Sequence, residues 1–537
     1  MGSYLNPGSA AFQGSLRSQI YIDKSGLIGK MNALLGTEQK YVCVSRPRRF
    51  GKSMAANMLS AYYDRDCDTR EFFDKLKISQ SEGYLEHLNQ YDVLKINMQD
   101  FLSGTHSMDE MLEQLQKQVM KDLKIRYPEY AKEDNLIFVM RNIFSNTHHP
   151  FIILIDEWDC LFREYQQDKD AQKKYLDFLR FWLKDKDYIA LAYMTGILPI
   201  KKYGSHSALN MFMEYSMTDP GELAEFFGFT EEEVKGLCEE YAMNFEEVKA
   251  WYDGYRFGKA DVYCPWDVIN YVDTLRADPL AEPKNYWSNT SSNEAVKRFI
   301  RESDKVTLRR EIERLVAGEV IEKEIHQELT YKEMYDSIDN LWSVLFTTGY
   351  LTQRGRAAGD TFQLVIPNME IRKIFTDQIM DFFKENVPKN GVLLNTFCEA
   401  LRNGETETIE KCLCDYLRRA ISIRDTFVRK KMKENFYHGI LLGILGYEES
   451  WSVSSNKESG DGYSDIVIET DDGEMGIILE LKYAQDGDLE TACQSALEQI
   501  GGNNYIDILE EDGVEKILKY GIAFYKKRCR VMIGEKS

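Results

Sequence analysis

A Gly-Lys-Ser sequence directly after a short apolar run is the feature that most limits how this chain folds. Residues 40–45 are strand-like, residues 46–53 read Arg-Pro-Arg-Arg-Phe-Gly-Lys-Ser, and residues 54–63 have a helical pattern. In this strand–loop–helix context, backbone N–H groups and the helix N-terminus are suited to bind phosphate groups. Arg46 stands where the usual pattern has its first glycine. The loop pattern by itself therefore leaves open that Gly-Lys-Ser occurs here by chance.

If the loop binds a nucleotide, each part of it has a chemical role. Lys52 is placed to reach the β- and γ-phosphates, and the Ser53 hydroxyl is placed to bind Mg²⁺. We predict that the whole loop contributes to the binding of ATP: Arg46, Pro47, Arg48, Arg49, Phe50, Gly51, Lys52 and Ser53.

Two acids at the end of a second apolar run support the same interpretation. Residues 151–155 are apolar and are followed by Asp156 and Glu157. An acid at the exit of such a strand holds the water shell of Mg²⁺, and the next acid activates the attacking water. A solvated pair of acids is the alternative for these two residues alone. Thr195 ends a further apolar run, where it either senses the γ-phosphate or simply ends the strand.

The segment from residue 21 to residue 199 alternates strand-like and helical patterns. Candidate strands are residues 40–45, 92–98, 151–156 and 188–195, and residues 108–126 form the clearest helical pattern between them. Because alternating strands and helices are typical of βαβ units, we predict an α/β fold with a parallel sheet.

A second chemical constellation lies near the C-terminus. Asp465 begins one strand-like run, while Glu480 and Lys482 lie two residues apart on the next and so share one face. Carboxylates that hold Mg²⁺ beside a cation that orients water suit the cleavage of a phosphodiester. We predict Asp465, Glu480, Lys482 and Gln499 as catalytic residues. Asp465, Glu480 and Glu434 are the predicted ligands of Mg²⁺, with Glu434 and Gln499 completing the site from neighbouring helices. An Asp followed by Glu-x-Lys is also a pattern that arises by chance.

Composition limits the protein classes that remain. A chain of 537 residues is too long to form a single hydrophobic core, so we expect several domains. Its net charge of −21 argues against a protein that coats nucleic acid nonspecifically, because such binding depends on neutralising phosphates. No apolar run approaches the length of a membrane helix and the first residues lack a signal-peptide pattern, so we expect a cytoplasmic protein.

Ten scattered cysteines without a Cys-x-x-Cys pair are expected to be reduced thiols. Basic residues precede the second constellation and form either a solvated helix face or a nucleic-acid contact: Arg418, Arg419, Arg424, Arg429, Lys430, Lys431 and Lys433.

Taken together, these motifs make the chain recognisable. It resembles the bacterial AAA-ATPase-like proteins that carry a C-terminal PD-(D/E)XK nuclease-like domain. The stretches that carry the resemblance are residues 21–24, 45–53, 155–159, 195–197, 251–258, 366–368 and 434–438, with Asp465, Glu480 and Lys482. In that family the arginine-bearing phosphate loop is usual. The resemblance implies an AAA-like P-loop core over residues 1–205, a mainly helical lid over 206–390 and a nuclease-like domain over 391–537.

The resemblance and the two constellations predict one function and leave one alternative. The prediction is an ATP-binding and ATP-hydrolysing protein coupled to Mg²⁺-dependent cleavage of nucleic acid, DNA more than RNA. The alternative is an ATP-dependent switch or assembly protein whose nuclease-like domain only binds nucleic acid or a protein partner. A homo-oligomer is an open alternative to a monomer. The aromatic block at residues 251–258 is expected to pack in the core, with a phosphate or interdomain contact by Arg256 as the alternative.

Overall fold

The computed structural model describes two compact units. It covers residues 2–534 except 166–167, 201–208, 288–292, 302–305, 317, 327–336, 387–390, 421–433, 435–436, 439–440, 443, 446–447, 449, 459–461, 471–474, 485, 503–508, 510–513, 515 and 527. The first unit contains residues 1–295 and 322–371, and the second contains residues 296–321 and 372–537. Among the helices of these described residues, none combines the length and apolarity needed to span a membrane.

The first unit is built on a parallel five-stranded sheet. Its described strands are β1 (Tyr41–Ser45), β2 (Asp92–Asn97), β3 (Phe151–Asp156), β4 (Ile189–Gly196) and β5 (Met213–Tyr215), in the order β2-β3-β4-β1-β5. Every residue of β1, β3 and β4 is buried, as expected when helices cover both faces of a parallel sheet. The predicted parallel sheet is therefore confirmed, and four predicted strands match β1 to β4 to within one residue at each end.

Helices connect and cover these strands. They are α1 (Ala10–Leu16), α2 (Gly26–Asn32), α3 (Lys52–Tyr63), α4 (Arg70–Phe73), α5 (Tyr84–His87), α6 (Met98–Ser103), α7 (Met108–Arg126), α8 (Leu136–Thr147), α9 (Cys160–Glu164) and α10 (Lys169–Leu183). The longest, α7, has the predicted bounds. The Ser107 side chain caps it by accepting a hydrogen bond from the Glu110 N–H, and acids in its first turn and bases in its last favour its dipole.

The middle of the chain is helical but also contains strands. Its helices are α11 (Glu231–Glu240), α12 (Phe245–Tyr252), α13 (Pro265–Ala277), α14 (Glu294–Arg301), α15 (Val306–Val316), α16 (Ile338–Thr347) and α17 (Met369–Asn386). Between them lie the hairpin strands β6 (Tyr255–Phe257) and β7 (Ala260–Val262), and a sheet of β8 (Ile321–Glu324), β9 (Thr352–Ala358) and β10 (Thr361–Val365) in the order β8-β10-β9. Periodicity did not indicate these strands because most of them are too short to show an alternating pattern.

The second unit contains a mixed five-stranded sheet among its described residues. Its elements are α18 (Gly391–Asn403), α19 (Thr406–Ala420), β11 (Trp451–Glu458), β12 (Gly462–Thr470), β13 (Met475–Tyr483), α20 (Leu489–Gly502), β14 (Lys516–Tyr525) and β15 (Arg528–Ile533). The strands follow chain order in the sheet; β13 and β14 are parallel and the other pairs are antiparallel. The crossover helix α20 packs on β13 and β14, as a parallel pair requires.

The aromatic block at residues 251–258 packs in the core of the first unit, as expected. Gly254 has φ +98°, and a Cβ there would lie 2.0 Å from the carbonyl oxygen of Pro367. The next residue, Asn368, donates from its side chain to the Asp253 carbonyl at 2.9 Å and accepts the Ile371 N–H at 3.0 Å. The block and the start of α17 are thereby joined, and only glycine fits at position 254.

Two buried carboxyl groups lie together beside this region. Asp267 and Glu370 are both 0% exposed, and Glu370 accepts the backbone N–H groups of Tyr286 (2.6 Å) and Trp287 (2.9 Å). Burial raises the pKa of Asp267 to about 6, and burial together with Asp267 raises the pKa of Glu370 well above its ordinary value. Because two adjacent buried carboxylates cannot both ionise at low cost, the pair favours a protonated form.

We expect Gly254→Ala to destabilise the protein by about 3 kcal/mol or more, because the new Cβ meets backbone at a positive φ. Gly236→Ala is the matched control: a Cβ at this α11 position meets no atom within 4 Å, and alanine should stabilise the helix by about 0.5–1 kcal/mol. Thermal unfolding of both variants measures the difference. Equal melting temperatures for the two variants would contradict the tight approach at Gly254.

The acid pair predicts a pH dependence of stability. Between the ordinary carboxyl pKa and about 6, the folded state binds more protons than the unfolded state, so the free energy of unfolding falls as pH rises through this window. We expect a loss of the order of 2 kcal/mol from the pair in the wild type. In Glu370→Gln, an amide N–H₂ can donate to ionised Asp267, so the loss should shrink. Urea unfolding from pH 4 to pH 7 tests this, and parallel curves for the two proteins would contradict the influence of Glu370 on the pKa of Asp267.

Candidate functional site

The predicted phosphate loop joins β1 to α3 in an open conformation. The loop ends at Gly51, which has φ +86° and precedes the first residue of α3; a Cβ there would meet no atom within 4 Å. The N–H groups of the first turn of a helix lack partners within the helix and favour an anion. Ser53 lies exposed on this turn. The backbone at Gly51 is therefore not covered by other atoms, and Ser53 is accessible at the start of α3.

Lys52 lies inside the loop. It is 5% exposed, and its Nζ donates to the carbonyl oxygens of Arg46 (3.0 Å) and Pro47 (2.9 Å). Burial lowers the pKa of Lys52, whereas the negative charges of Glu157 and Asp156 favour its ammonium form. The ammonium group is thus bonded to the loop and lies within electrostatic range of the acids at the end of β3.

The side chains of Arg46 and Phe50 are buried beneath the loop surface. Arg46 is 0% exposed, donates to the carbonyl oxygens of Ser45 (2.8 Å) and Tyr215 (2.6 Å), and lies over the rings of Phe227 and Phe257. Burial lowers the pKa of Arg46 to about 9. Phe50 packs against the aromatic block, with ring centroids 5.0 Å from Tyr255 and 5.2 Å from Phe257.

The other two loop arginines have different surroundings. Arg48 is exposed, and its charge acts on Glu157. Arg49 is half-buried with φ +71°, and its guanidinium lies over the rings of Trp266 and Trp287. Two of the loop residues predicted to contact the nucleotide, Arg46 and Phe50, therefore have their side chains packed in the core. Only their backbone groups remain available in the loop.

The acids at the end of β3 lie at the same sheet edge as the loop. Thr195, at the end of the neighbouring strand β4, donates its hydroxyl hydrogen to Asp156 Oδ1, and the Glu157 N–H donates to the same oxygen at 3.0 Å. Parallel strands bring their carboxyl ends together at one edge, where α/β proteins bind their ligands. The structure thus brings Lys52, the adjacent pair Asp156 and Glu157, and Thr195 together from three distant parts of the chain.

Arg163 is a site residue that sequence reasoning missed. It lies on α9, and its Nη2 is 2.5 Å from Glu157 Oε2. Burial opposes ionisation of Glu157, but the positive charges of Arg163 and Lys52 nevertheless lower its pKa. Glu157 itself has φ +54°, an uncommon conformation for a residue other than glycine. The carboxylate is therefore ionised and is bound by Arg163, six residues further along the chain. No known motif has this spacing, so the sequence did not indicate the pair.

Asp159 and Gly196 shape the segment after β4. Asp159 Oδ2 accepts the N–H groups of Ile197 and Leu198, each at 3.0 Å. A Cβ at Gly196 would lie 2.6 Å from Trp158 Nε1, so only glycine fits between the two segments. Both residues lie in stretches that carried the resemblance, but their positioning roles follow only from the contacts.

The second constellation lies on the sheet of the second unit. Asp465 on β12 and Glu480 on β13 are direct partners in an antiparallel register. The side chain of Asp465 lies outside the described part of the structure. Leu481 is fully buried, which agrees with the predicted alternation along β13. The basic residues 424–433 and the side chains of Arg418 and Arg419 also lie outside the described residues.

Lys482 contacts two of the other predicted site residues. Its Nζ lies 2.8 Å from Glu480 Oε1 and also donates to Gln499 Oε1 on α20. Glu434 accepts the Tyr483 N–H at 2.9 Å. The structure therefore gathers Glu480, Lys482 and Gln499 in one hydrogen-bonded group, with Glu434 bound to the strand beside it.

Glu480 fits the role of a metal ligand. It is 0% exposed, and its Oε2 has no hydrogen-bond partner among the described residues. A buried carboxylate oxygen without a partner is costly unless a cation approaches it, and carboxylate oxygens are ligands that Mg²⁺ prefers. The described side chains alone contain no group of three or more potential metal ligands.

Comparisons with known proteins agree with this geometry. Residues 13–205 match the family model of a predicted AAA-ATPase, and residues 432–533 match the model of the PD-(D/E)XK nuclease superfamily. The chain is similar to an uncharacterized protein in the vnfD 5'region of Azotobacter chroococcum mcd 1, with 22% identity over 371 residues. This match covers 67% of the chain and 66% of that relative.

A solved structure is also similar at a low level. It is the Aeropyrum pernix ORC2 protein in ADPNP–ADP complexes, with 10% identity and a TM-score of 0.30; the match covers 69% of this chain and 98% of that one. The first match contains strands β1 to β4 and the first predicted constellation, and the second contains strands β11 to β15 and the second constellation. The N-terminal part of the chain is therefore similar to predicted AAA-ATPases, and its C-terminal part is similar to the PD-(D/E)XK nuclease superfamily.

Proposed function

We propose that the N-terminal domain binds and hydrolyses ATP and that this activity controls Mg²⁺-dependent cleavage of nucleic acid, DNA more than RNA, by the C-terminal domain. The observation that carries the proposal is the occurrence of two coherent sets of charged groups in one chain. The first combines an open phosphate loop with Lys52, Asp156, Glu157 and Thr195. The second combines Glu480, which has an unpartnered buried oxygen, with Lys482.

At the first site, the side chains have distinct roles. The N–H groups at the start of α3 and the ammonium of Lys52 bind the phosphates, and Lys52 exchanges its loop carbonyls for phosphate oxygens. Ser53 and Asp156 would hold Mg²⁺, which neutralises phosphate charge when bound. Glu157 accepts a proton from the attacking water, and Thr195 orients Asp156 through its hydroxyl.

The ion pair between Glu157 and Arg163 gives this site a resting state. A carboxylate held by a guanidinium is oriented but less basic, so Glu157 must leave Arg163 before it accepts a proton at full efficiency. Arg48 is exposed beside the loop and supplies a positive charge to the transferred phosphate from the same chain.

At the second site, Asp465 and Glu480 would hold Mg²⁺, which polarises the phosphodiester when bound. Lys482 orients the attacking water or stabilises the negative charge that develops on the phosphate. Gln499 positions Lys482 through a hydrogen bond, and Glu434 fixes the end of β13 through the Tyr483 N–H. These roles would make Gln499 a positioning residue.

The ATPase proposal predicts separable effects of two substitutions. Lys52→Ala should weaken ATP binding, because a charge-assisted contact to the phosphates is lost. Glu157→Gln should keep ATP binding but slow hydrolysis by about 10²- to 10⁴-fold, because the amide cannot accept the proton. Binding titrations and phosphate release with Mg²⁺ measure both effects. Lys124→Ala, which removes an exposed ion pair between α7 and Asp134, is the matched control. Wild-type turnover in both site variants would refute the assignment.

The nuclease proposal predicts cleavage that depends on the second site and on ATP. Supercoiled plasmid, single-stranded DNA and RNA are incubated with the full chain, Mg²⁺ and ATP. Glu480→Gln and Lys482→Ala should abolish cleavage, whereas Lys516→Ala, an exposed lysine on β14, should not. Lys52→Ala should remove the dependence on ATP.

The outcomes of the cleavage assay distinguish the proposal from its alternative. Cleavage that persists unchanged in Lys482→Ala would contradict the catalytic assignment. A wild-type protein that hydrolyses ATP and binds DNA without cutting it would instead support a nucleotide-dependent switch.

A further inference from the structure

An exposed tryptophan lies beside the phosphate loop. Trp266 is the second residue of α13 and is 43% exposed, although the residues around it are buried. Its neighbours Cys264, Asp267 and Val268 are each 0% exposed. Tyr263, just before the helix, exchanges two backbone hydrogen bonds with Phe229, at 2.8 and 3.0 Å. The indole is therefore presented to solvent from a firmly anchored helix start.

Arg49 joins this indole to the phosphate loop. Its guanidinium carbon lies 5.2 Å from the ring centroid of Trp266 and 5.4 Å from that of Trp287. The two indoles differ in exposure: Trp287 is 3% exposed and stacks on Tyr255 with an interplanar angle of 19°. Trp266 is thus the member of this cluster that still offers an aromatic surface, one arginine side chain away from the loop.

We infer that Trp266 is the platform on which the base of the bound nucleotide stacks, and that Arg49 aligns this platform with the phosphate loop. The inference rests on the proposed nucleotide binding at the loop. Aromatic side chains bind nucleobases by stacking, and an adjacent guanidinium adds a cation–π contribution. Stacking makes no hydrogen bonds to the N–H and C=O groups of the base, so we expect Trp266 to bind adenine and guanine equally well.

The placement of Trp266 also explains its exposure. A large aromatic side chain of the core is normally buried, and the other aromatic residues packed around the loop are: Phe50, Tyr255, Phe257 and Trp287 are all under 5% exposed. An indole left open on a rigid frame loses little conformational entropy when a flat ligand stacks on it. Binding of the base then requires no further side chain to become fixed, because Arg49 already contacts both Trp266 and Trp287.

The test compares ligands that share phosphates but differ in the base. Isothermal titration of the full chain uses Mg²⁺ with ATP, GTP or inorganic tripolyphosphate. We expect Trp266→Ala to weaken ATP and GTP by a similar factor, roughly 5- to 100-fold, and to leave tripolyphosphate binding unchanged. Trp266→Phe should recover most of the affinity because it keeps an aromatic face. Phe138→Ala removes another exposed aromatic side chain, on α8, and should bind all three ligands as the wild type does.

Each outcome separates this inference from the proposal beneath it. If wild-type protein binds none of the three ligands, or if Lys52→Ala leaves all three unaffected, the nucleotide site itself is refuted. If wild-type protein binds ATP and Trp266→Ala weakens ATP and tripolyphosphate equally, Trp266 acts only through Arg49 and the loop, and the platform is refuted. Unchanged ATP affinity in Trp266→Ala overturns it as well.

Discussion

The burial of Arg46 and Phe50 is the interaction on which the N-terminal site depends. A phosphate loop must keep its N–H groups open, so it cannot be stabilised by covering its own backbone. Here the side chains at both ends of the loop pack into the unit instead, around Phe257. Burying an arginine is costly, and its pKa falls to about 9. Two carbonyl oxygens and two aromatic faces offset part of that cost.

The aromatic block of residues 251–258 acquires a role from this packing. It supplies the rings that receive Phe50 and Arg46, and Gly254 lets it approach the chain at Pro367. The start of α17 then brings Glu370 under the N–H groups of Tyr286 and Trp287. A contact network within one unit therefore runs from the loop through Arg49 and Trp287 to a buried acid pair.

Strand register assembles both sites by the same physical means. In the first unit, neighbouring parallel strands end at one edge and place Thr195 against Asp156. In the second, an antiparallel register places Asp465 opposite Glu480. In both, a cation lies close to the acids, since Lys52 and Arg163 act on Glu157 and Lys482 contacts Glu480. Clusters of like charge are stable in a partly buried site only with such partners.

Much of the fold could be predicted because its strands are fully buried. The apolar runs that became β1, β3 and β4 are buried along their whole length, and such runs are visible without any tertiary information. The sequence did not indicate β5, which has three partly exposed residues, or the hairpin of β6 and β7. Short strands depend on the partners that they pair with, and those partners lie far away in the chain.

The amino-acid sequence alone determined the order of the elements and the chemistry available at each strand end. Gly51, Lys52, Asp156 and Glu480 could be named because local patterns place them after or within buried strands. Tertiary structure decided the rest: Arg46 meets Tyr215, Arg49 meets Trp266, and Arg163 takes hold of Glu157. The physical reason is that burial and charge pairing depend on distances in space. For residues that are far apart in the chain, or close in the chain but not part of a known motif, those distances are set only when the chain folds.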